Sequence, residues 1–284
     1  MIRALDSSRA DRLMRARFIT RFLGVAALGT MCGCSSLELV FKPSDGAKHA
    51  SFTRARALFT ADLDAISHQT YIVVSGDWES ETPYIDATTG KIVLPPIKNK
   101  KSWSQGLAVG LESDGYLLTA GHVVGARNFV WGTFDGRVDV RPAKVVFQRH
   151  SKTHADLALI KVAAKLDHYA SFGDEPKVGD RSFAVVSYRG GTQVDVILDF
   201  AAGTVRRVRK GPSGTPGDLI DTDVPLWYGD SGGPLFSSTG QLISIATGYE
   251  IEWYGVYWKY RRISFLPEKR FIQDLIARDR ILHQ

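Results

Sequence analysis

Short apolar runs separated by turn residues dominate the chain from residue 106 onward. The clearest is an apolar run over 106–112, the turn Ser113-Asp114-Gly115 and a second run over 116–119, a pattern typical of a β-hairpin. Similar runs occur at 71–75, 129–134, 138–148, 157–162, 182–188, 193–199, 203–209 and 242–247. Many short strands at roughly regular spacing predict an all-β barrel or sandwich.

Two segments show helical patterns instead. Residues 53–67 are predicted to form a helix, whereas residues 76–102 are rich in turn residues. From residue 267 to 283, apolar side chains recur at helical spacing, namely Phe271, Ile272, Leu275, Ile276 and Ile281. The chain is therefore predicted to end in an amphipathic helix.

The N-terminal 34 residues have the pattern of an export segment. An arginine-rich stretch precedes an apolar run over 22–31, which is too short to span a bilayer. The following Cys32-Gly33-Cys34 resembles the lipobox of bacterial lipoproteins, in which the cysteine is lipidated and becomes the first residue of the mature chain. Cys34 is the predicted lipidation site, and residues 35–52 form a predicted linker. A cleaved signal without lipid and a retained membrane anchor are the alternatives.

Charge and cysteine content narrow the function classes. The net charge is +6, but residues 1–33 hold six arginines and only two aspartates, so most of the excess lies in the export segment. The densest later basic run, Arg206, Arg207, Arg209 and Lys210, is typical of a solvated strand end, and no nucleic-acid partner is predicted. Both cysteines precede residue 35, so the folded part must be stable without a disulfide.

Three segments offer the parts of a serine hydrolase, which needs a hydroxyl, an adjacent base, a group that orients the base and donors for the oxyanion. His122 follows the apolar run 116–119, Asp156 opens the apolar run 157–162, and Ser231 lies in Gly-Asp-Ser-Gly-Gly-Pro. A lone histidine after a strand, or an aspartate opening one, is more often structural. The serine segment is more specific, because its three glycines allow a tight turn that aims the amides of Gly229 and Ser231 at one point. Those two amides are the predicted oxyanion hole.

Together the three blocks resemble the signature of chymotrypsin-like serine proteases. Thr119-Ala-Gly-His122, Asp156-Leu-Ala-Leu159 and Gly229-Asp-Ser-Gly-Gly-Pro234 also occur in that family's order, His, Asp, Ser. The resemblance implies two six-stranded antiparallel β-barrels with the active site between them.

The same resemblance implies domains and roles. The protease domain is expected over 53–265, with barrels at about 70–165 and 178–265 and a C-terminal helix over 266–284. Ser231 is the expected nucleophile, His122 its general base and Asp156 the residue that orients the base, with no metal or organic cofactor. The expected protein is an exported serine endopeptidase of the bacterial periplasm or cell envelope, acting on a protein or peptide substrate.

Two departures from digestive proteases bear on regulation and specificity. We find no Ile-Val-Gly-Gly-type segment after a basic residue, so Asp230, which binds the new N-terminus in digestive enzymes, either has another partner or stays solvated. Six residues before Ser231, where trypsin carries an aspartate, this chain has Pro225, which disfavours cleavage after Lys or Arg. Pro225 and Gly248 are the predicted specificity-pocket residues.

Two other functions compete with the protease hypothesis. Gly229-Asp-Ser-Gly-Gly233 also fits the G-x-S-x-G pattern of α/β-hydrolase esterases, but their order would require Asp274 or Asp279 with His283, all on the C-terminal helix. A catalytically silent, protease-fold binding protein is the second alternative. Loss of a triad residue would mark it, and none of the three is lost.

Overall fold

The computed structural model describes residues 61–78, 84–85, 88, 92–93, 98, 103–150, 155–190, 195–211, 215–253 and 258–283. The predicted export segment with Cys34, the linker and most of the predicted helix 53–67 lie outside the described residues. Of that helix, α1 (Leu63–Ser67) is described.

The first barrel closes through six antiparallel strands. In chain order the strands are β1 (Thr70–Gly76), the short pair β2 (Tyr84–Ile85) and β3 (Ile92–Val93), β4 (Ser104–Glu112), β5 (Tyr116–Thr119), β6 (Arg127–Phe134), β7 (Arg137–Arg149) and β8 (Leu157–Val162). The spatial order around the barrel is β1-β4-β5-β8-β7-β6, while β2 and β3 pair with each other outside it.

The second barrel is also six-stranded and precedes a C-terminal helix. Its strands are β9 (Arg181–Gly190), β10 (Asp195–Arg209), β11 (Gly217–Thr222), β12 (Pro234–Ser237), β13 (Leu242–Trp253) and β14 (Trp258–Pro267), followed by α2 (Lys269–Leu282). They close in the order β10-β11-β14-β13-β12-β9. The predicted fold class, two six-stranded antiparallel barrels with a C-terminal helix, is confirmed.

Strand β10 corrects one detail of the sequence-based prediction. The apolar runs 193–199 and 203–209 were expected as separate strands, but residues 195–209 form one strand. Its first part pairs with β9 from Asp195 to Thr204, and its last part pairs with β11 from Val205 to Arg209, with a register shift between Val205 and Arg207. One long strand with a β-bulge therefore pairs with both β9 and β11, and no turn separates the two apolar runs.

A shared apolar core holds the two barrels together. One buried cluster contains Val109, Leu118 and Leu159 of the first barrel together with Phe183 and Phe236 of the second. Full burial of each such side chain contributes about 1.5–3 kcal/mol. Because this core joins both barrels, the residues at their junction are held in fixed relative positions.

Helix α2 packs on the first barrel through apolar and polar contacts. The buried carboxylate of Asp279 accepts a hydrogen bond from the Tyr116 hydroxyl at 2.9 Å, and Arg280 donates two bonds to Asp114 at 3.0 and 2.9 Å. Burial, followed by the hydrogen bond and charge of Asp279, raises the pKa of Tyr116, so the phenol stays protonated and acts as the donor. Among the described residues, no helix has the length and apolar character needed to cross a membrane.

Candidate active site

His122 lies in a single 3-10 turn, Gly121–Val123, directly after β5. Two side chains fix the turn, because Ser75 Oγ donates to the Val123 carbonyl at 2.6 Å and Gln148 Nε2 donates to the Gly121 carbonyl at 2.8 Å. Only glycine fits at position 121, since a Cβ there would lie 2.2 Å from the Arg149 carbonyl oxygen. The small residue before His122 thus allows the turn to approach β7 closely.

Asp156 holds His122 at two points. Its Oδ2 lies 2.5 Å from His122 Nδ1, and its Oδ1 accepts the backbone N–H of His122 at 2.9 Å. An ionised carboxylate only accepts hydrogen bonds, so Nδ1 must carry the ring proton and Nε2 of the neutral ring is free to accept one. The sequence-predicted pair is therefore brought together in the tautomer that a general base requires.

The ionised form of Asp156 is favoured although its side chain is largely shielded from solvent. Burial alone would raise the pKa of the carboxyl group, but the hydrogen bonds and charge of His122, with a smaller effect of His150, lower it below its usual value. The carboxylate is consequently charged at neutral pH.

His150, a second histidine on the same carboxylate, was not predicted from the sequence. It follows β7, and its Nδ1 lies 3.0 Å from Asp156 Oδ1. Its side chain is 53% exposed, against 16% for Asp156. No local motif marks His150, but the pairing of Arg149 with Leu157 places the residues just beyond those two strand ends side by side.

Ser231 lies in a glycine-rich turn before β12 that is anchored to both barrels. Its carbonyl accepts the N–H of Leu107 from the first barrel at 2.8 Å, and Gly232 N donates to Ala246 of β13 at 2.7 Å. Gly232 has φ +80°, and a Cβ at that position would lie 2.1 Å from the Leu107 carbonyl oxygen. Glycine at 232 therefore lets the serine turn contact the first barrel.

The predicted oxyanion donors lie in the same turn. Gly229 has φ +91°, a conformation that L side chains rarely adopt. Among the described residues, no acceptor binds the amides of Gly229 and Ser231. The two N–H groups are thus available to a ligand.

Asp230 has partners that replace the ammonium group of digestive proteases. The carboxylate is 1% exposed, and it accepts the backbone N–H groups of Ser187 and Trp227, each at 2.7 Å. The Ser187 hydroxyl is a further donor at 3.3 Å. These bonds tie the serine turn to β9 without a cleaved N-terminus.

A cleft of about 290 Å³ joins these parts. His122, Ser231 and Gly229 border it together with Trp227, Tyr228 and Gly248. Among the described residues no hydrogen bond joins the Ser231 hydroxyl to His122, and catalytic hydrogen bonds are often long before substrate binds.

The two predicted specificity residues differ in position. Gly248 lies on the wall of the cleft, and a Cβ built on it would meet nothing within 4 Å. Pro225 is half-buried and is not among the lining residues; its neighbour Leu226 lines the cleft instead.

The esterase arrangement does not fit the observed fold. The strand β12, not a helix, follows Ser231. Asp279 and His283 do contact each other, but at the end of α2, where they bind Tyr116 and Lys144 of the first barrel.

Comparison with known proteins shows what the double-barrel part of the chain is similar to. Residues 106–245 match the family model described as trypsin-like peptidase domain. Over these residues the chain is similar to trypsin-like serine peptidases.

Several bacterial proteins are similar to part of this chain. The "Probable periplasmic serine endoprotease DegP-like" of Brucella suis biovar 1 is 32% identical over 168 residues, covering 57% of this chain and 31% of the relative. The protein of the same description from Ectopseudomonas mendocina is 31% identical over 154 residues, covering 53% of this chain and 31% of the relative. The matching region thus spans about a third of these relatives.

A solved structure shares the fold. The HtrA-type protease AlgW with decapeptide is 23% identical, with a TM-score of 0.50, over 76% of this chain and 66% of that chain. At this identity the likeness concerns the double-barrel fold.

Proposed function

We propose that this protein is a serine endopeptidase in which Ser231 is the nucleophile, His122 the general base and Asp156 the residue that orients the base. The observation that carries the proposal is the 2.5 Å contact between His122 Nδ1 and Asp156 Oδ2 beside a cleft that Ser231 and Gly229 also border. The contact fixes the tautomer whose Nε2 can accept a proton from Ser231.

Acylation follows from these positions. The Ser231 oxygen attacks the scissile carbonyl carbon while its proton passes to His122 Nε2, and Asp156 stabilises the resulting imidazolium. The carbonyl oxygen becomes an oxyanion, which accepts hydrogen bonds from the N–H groups of Gly229 and Ser231. Return of the proton to the departing amine nitrogen breaks the C–N bond and leaves an ester on Ser231.

Deacylation repeats the same proton transfers with water. His122 Nε2 takes a proton from a water molecule as its oxygen attacks the ester carbonyl. The proton then returns to the Ser231 oxygen as the C–O bond breaks, which releases the new carboxyl terminus and restores the enzyme. None of these transfers requires a metal or an organic cofactor.

The compartment and anchor are a further part of the proposal. The similar Brucella and Ectopseudomonas proteins are named as periplasmic, and the N-terminal pattern of this chain is that of an exported protein. We therefore place it in the periplasm or cell envelope, tethered through lipid on Cys34. The mass of the mature N-terminus tests this, because a chain that begins elsewhere without lipid excludes the tether.

The wall of the cleft supports discrimination against basic substrate side chains. Leu226 lines the cleft, and Arg262 lies behind it, donating Nε–H to the Leu226 carbonyl at 3.3 Å. Burial lowers the pKa of Arg262, and the nearby charge of Asp223 opposes this shift. Among the described residues, no carboxylate forms an ion pair with the Arg262 guanidinium. Its positive charge, which the charge of Asp223 offsets only in part, repels a lysine or arginine side chain entering the cleft.

Digestion of unfolded casein by the purified soluble domain tests activity and specificity together. We expect internal peptide bonds to be cut, with lysine and arginine strongly depleted on the acyl side of the cut. Mass spectrometry of the new termini measures both. A short ester hydrolysed without any cleavage of casein would contradict an endopeptidase.

The Arg262→Gln variant isolates the charge effect. We expect the relative cleavage after lysine to rise about tenfold, equivalent to about 1.4 kcal/mol. The exposed Arg181→Gln is the matched control and should leave the cleavage profile unchanged. Equal profiles for all three proteins would show that Arg262 does not set the preference.

The silent binding protein remains the competing function. It requires substrate-like peptides to bind without being cleaved. In that case casein would be recovered intact, whereas binding to the cleft would persist.

A further inference from the structure

The carboxylate of Asp156 carries two histidines, although catalysis uses only one. His122 Nδ1 lies 2.5 Å from Oδ2 and His150 Nδ1 lies 3.0 Å from Oδ1, with the two ring centroids 5.8 Å apart. We propose that His122, His150 and Asp156 form an inhibitory site for a divalent transition metal, with Zn²⁺ as the best-suited ion. The inhibitory effect rests on the proposed protease function, whereas the metal site itself does not.

The donor set and spacing suit zinc. One ligand atom from each of the three residues lies within 4.8 Å of the other two. Zinc binds imidazole nitrogen and carboxylate oxygen at about 2.0–2.2 Å, so ligands of one tetrahedral ion lie about 3.3 Å apart. The widest separation among the three atoms therefore has to shorten by at most about 1.5 Å, whereas the 2.5 Å contact between His122 and Asp156 has to lengthen by about 0.8 Å to admit the ion.

His150 can supply that movement. Its side chain is 53% exposed, so its ring can rotate without disturbing a core. His122, by contrast, is held by its turn and by the backbone bond to Asp156. Three protein ligands leave the fourth zinc position to water, the arrangement found in open zinc sites.

Metal binding would remove the general base by changing a tautomer. Coordination through His122 Nδ1 needs the lone pair of that nitrogen, so its proton leaves to solvent. The neutral ring then carries its one proton on Nε2. That nitrogen becomes a donor and cannot accept the proton of Ser231, so acylation stops until the metal leaves.

The chemistry also predicts which ions act. Imidazole ligands favour Zn²⁺, Cu²⁺ and Ni²⁺, whereas Mg²⁺ and Ca²⁺ prefer all-oxygen sites. Millimolar magnesium should leave activity unchanged under conditions in which micromolar zinc inhibits. A chelator should restore zinc-inhibited activity.

Variants separate this site from unspecific zinc inhibition. The activity of each variant with zinc is compared with its own activity in chelator, so basal differences cancel. We expect His150→Ala to raise the half-inhibitory zinc concentration at least about tenfold. His68→Ala, which removes another exposed histidine, is the matched control and should keep the sensitivity of the unmodified chain. Equal zinc sensitivity of His150→Ala and the unmodified chain would overturn the proposal.

A binding measurement is independent of catalysis. Co²⁺, used as the spectroscopic probe, should give the visible absorption of a low-coordinate site in the full chain and in Ser231→Ala, and not in His150→Ala. If no peptide is cleaved by any protein but this pattern appears, the proposed function fails and the metal site stands. Absence of the Co²⁺ signal in Ser231→Ala would overturn the metal site even if peptides are cleaved.

Discussion

Replacing Ser231 by alanine is expected to remove peptide hydrolysis, with kcat falling about 10⁶-fold while the fold is retained. The methyl group offers no nucleophile, and the hydroxyl makes no hydrogen bond that the fold needs among the described residues. Steady-state rates on a cleaved peptide measure the loss, and circular dichroism checks the fold.

The serine control is Ser171→Ala. Ser171 is exposed, and among the described residues only its backbone carbonyl accepts a hydrogen bond, so this variant should keep normal kcat. Ordinary turnover by Ser231→Ala, with contaminating protease excluded, would mean that another residue is the nucleophile.

Replacing Asp156 by asparagine is expected to lower kcat about 10⁴-fold. The variant has no charge to stabilise the imidazolium, and its amide NH₂ can donate to Nδ1, which favours the tautomer with the proton on Nε2. The measurement is kcat on the same peptide, with KM determined in parallel, because the cleft itself is unchanged.

The same carboxylate has a defined effect on stability. Because its pKa in the folded chain lies below the usual value, ionised Asp156 stabilises the fold at neutral pH, and this contribution is lost as pH falls through the folded pKa. Urea unfolding at neutral and acidic pH should therefore show a larger acid-induced loss of unfolding free energy for the unmodified chain than for Asp156→Asn.

The catalytic prediction for Asp156→Asn has its own contradicting outcome. A kcat near normal in this variant would assign the role of orienting His122 to another group.

The sequence was informative wherever a strand has a regular apolar pattern. The runs at 157–162 and 116–119 correspond to β8 and β5 residue for residue. Three strands of the second barrel were not predicted, and each has a physical reason. In β11 (Gly217–Thr222) two aspartates interrupt the apolar residues, β12 (Pro234–Ser237) has only four residues after a turn, and β14 (Trp258–Pro267) carries a lysine and two arginines.

Some residues of the candidate site could be predicted from a local sequence motif, and others could not. Short motifs mark His122 and Ser231 because close backbone approaches restrict positions 121 and 232 to glycine, and the apolar run of β8 marks the position of Asp156. His150 and the partners of Asp230 have no such mark. They depend on strand register, since the pairing of β7 with β8 brings residues 150 and 156 together and the position of β9 brings Ser187 to Asp230. Contacts of that kind need the assembled barrel.

The central claim is that Ser231 is a nucleophile activated by His122, and the site of reaction with a fluorophosphonate probe tests it most directly. The probe forms a covalent bond to an activated serine oxygen with loss of fluoride, and peptide mapping by mass spectrometry locates the adduct. We predict one adduct per chain, on Ser231, that is lost in His122→Ala and in the urea-unfolded protein. An adduct on a different serine, or none on the folded chain, would contradict the account.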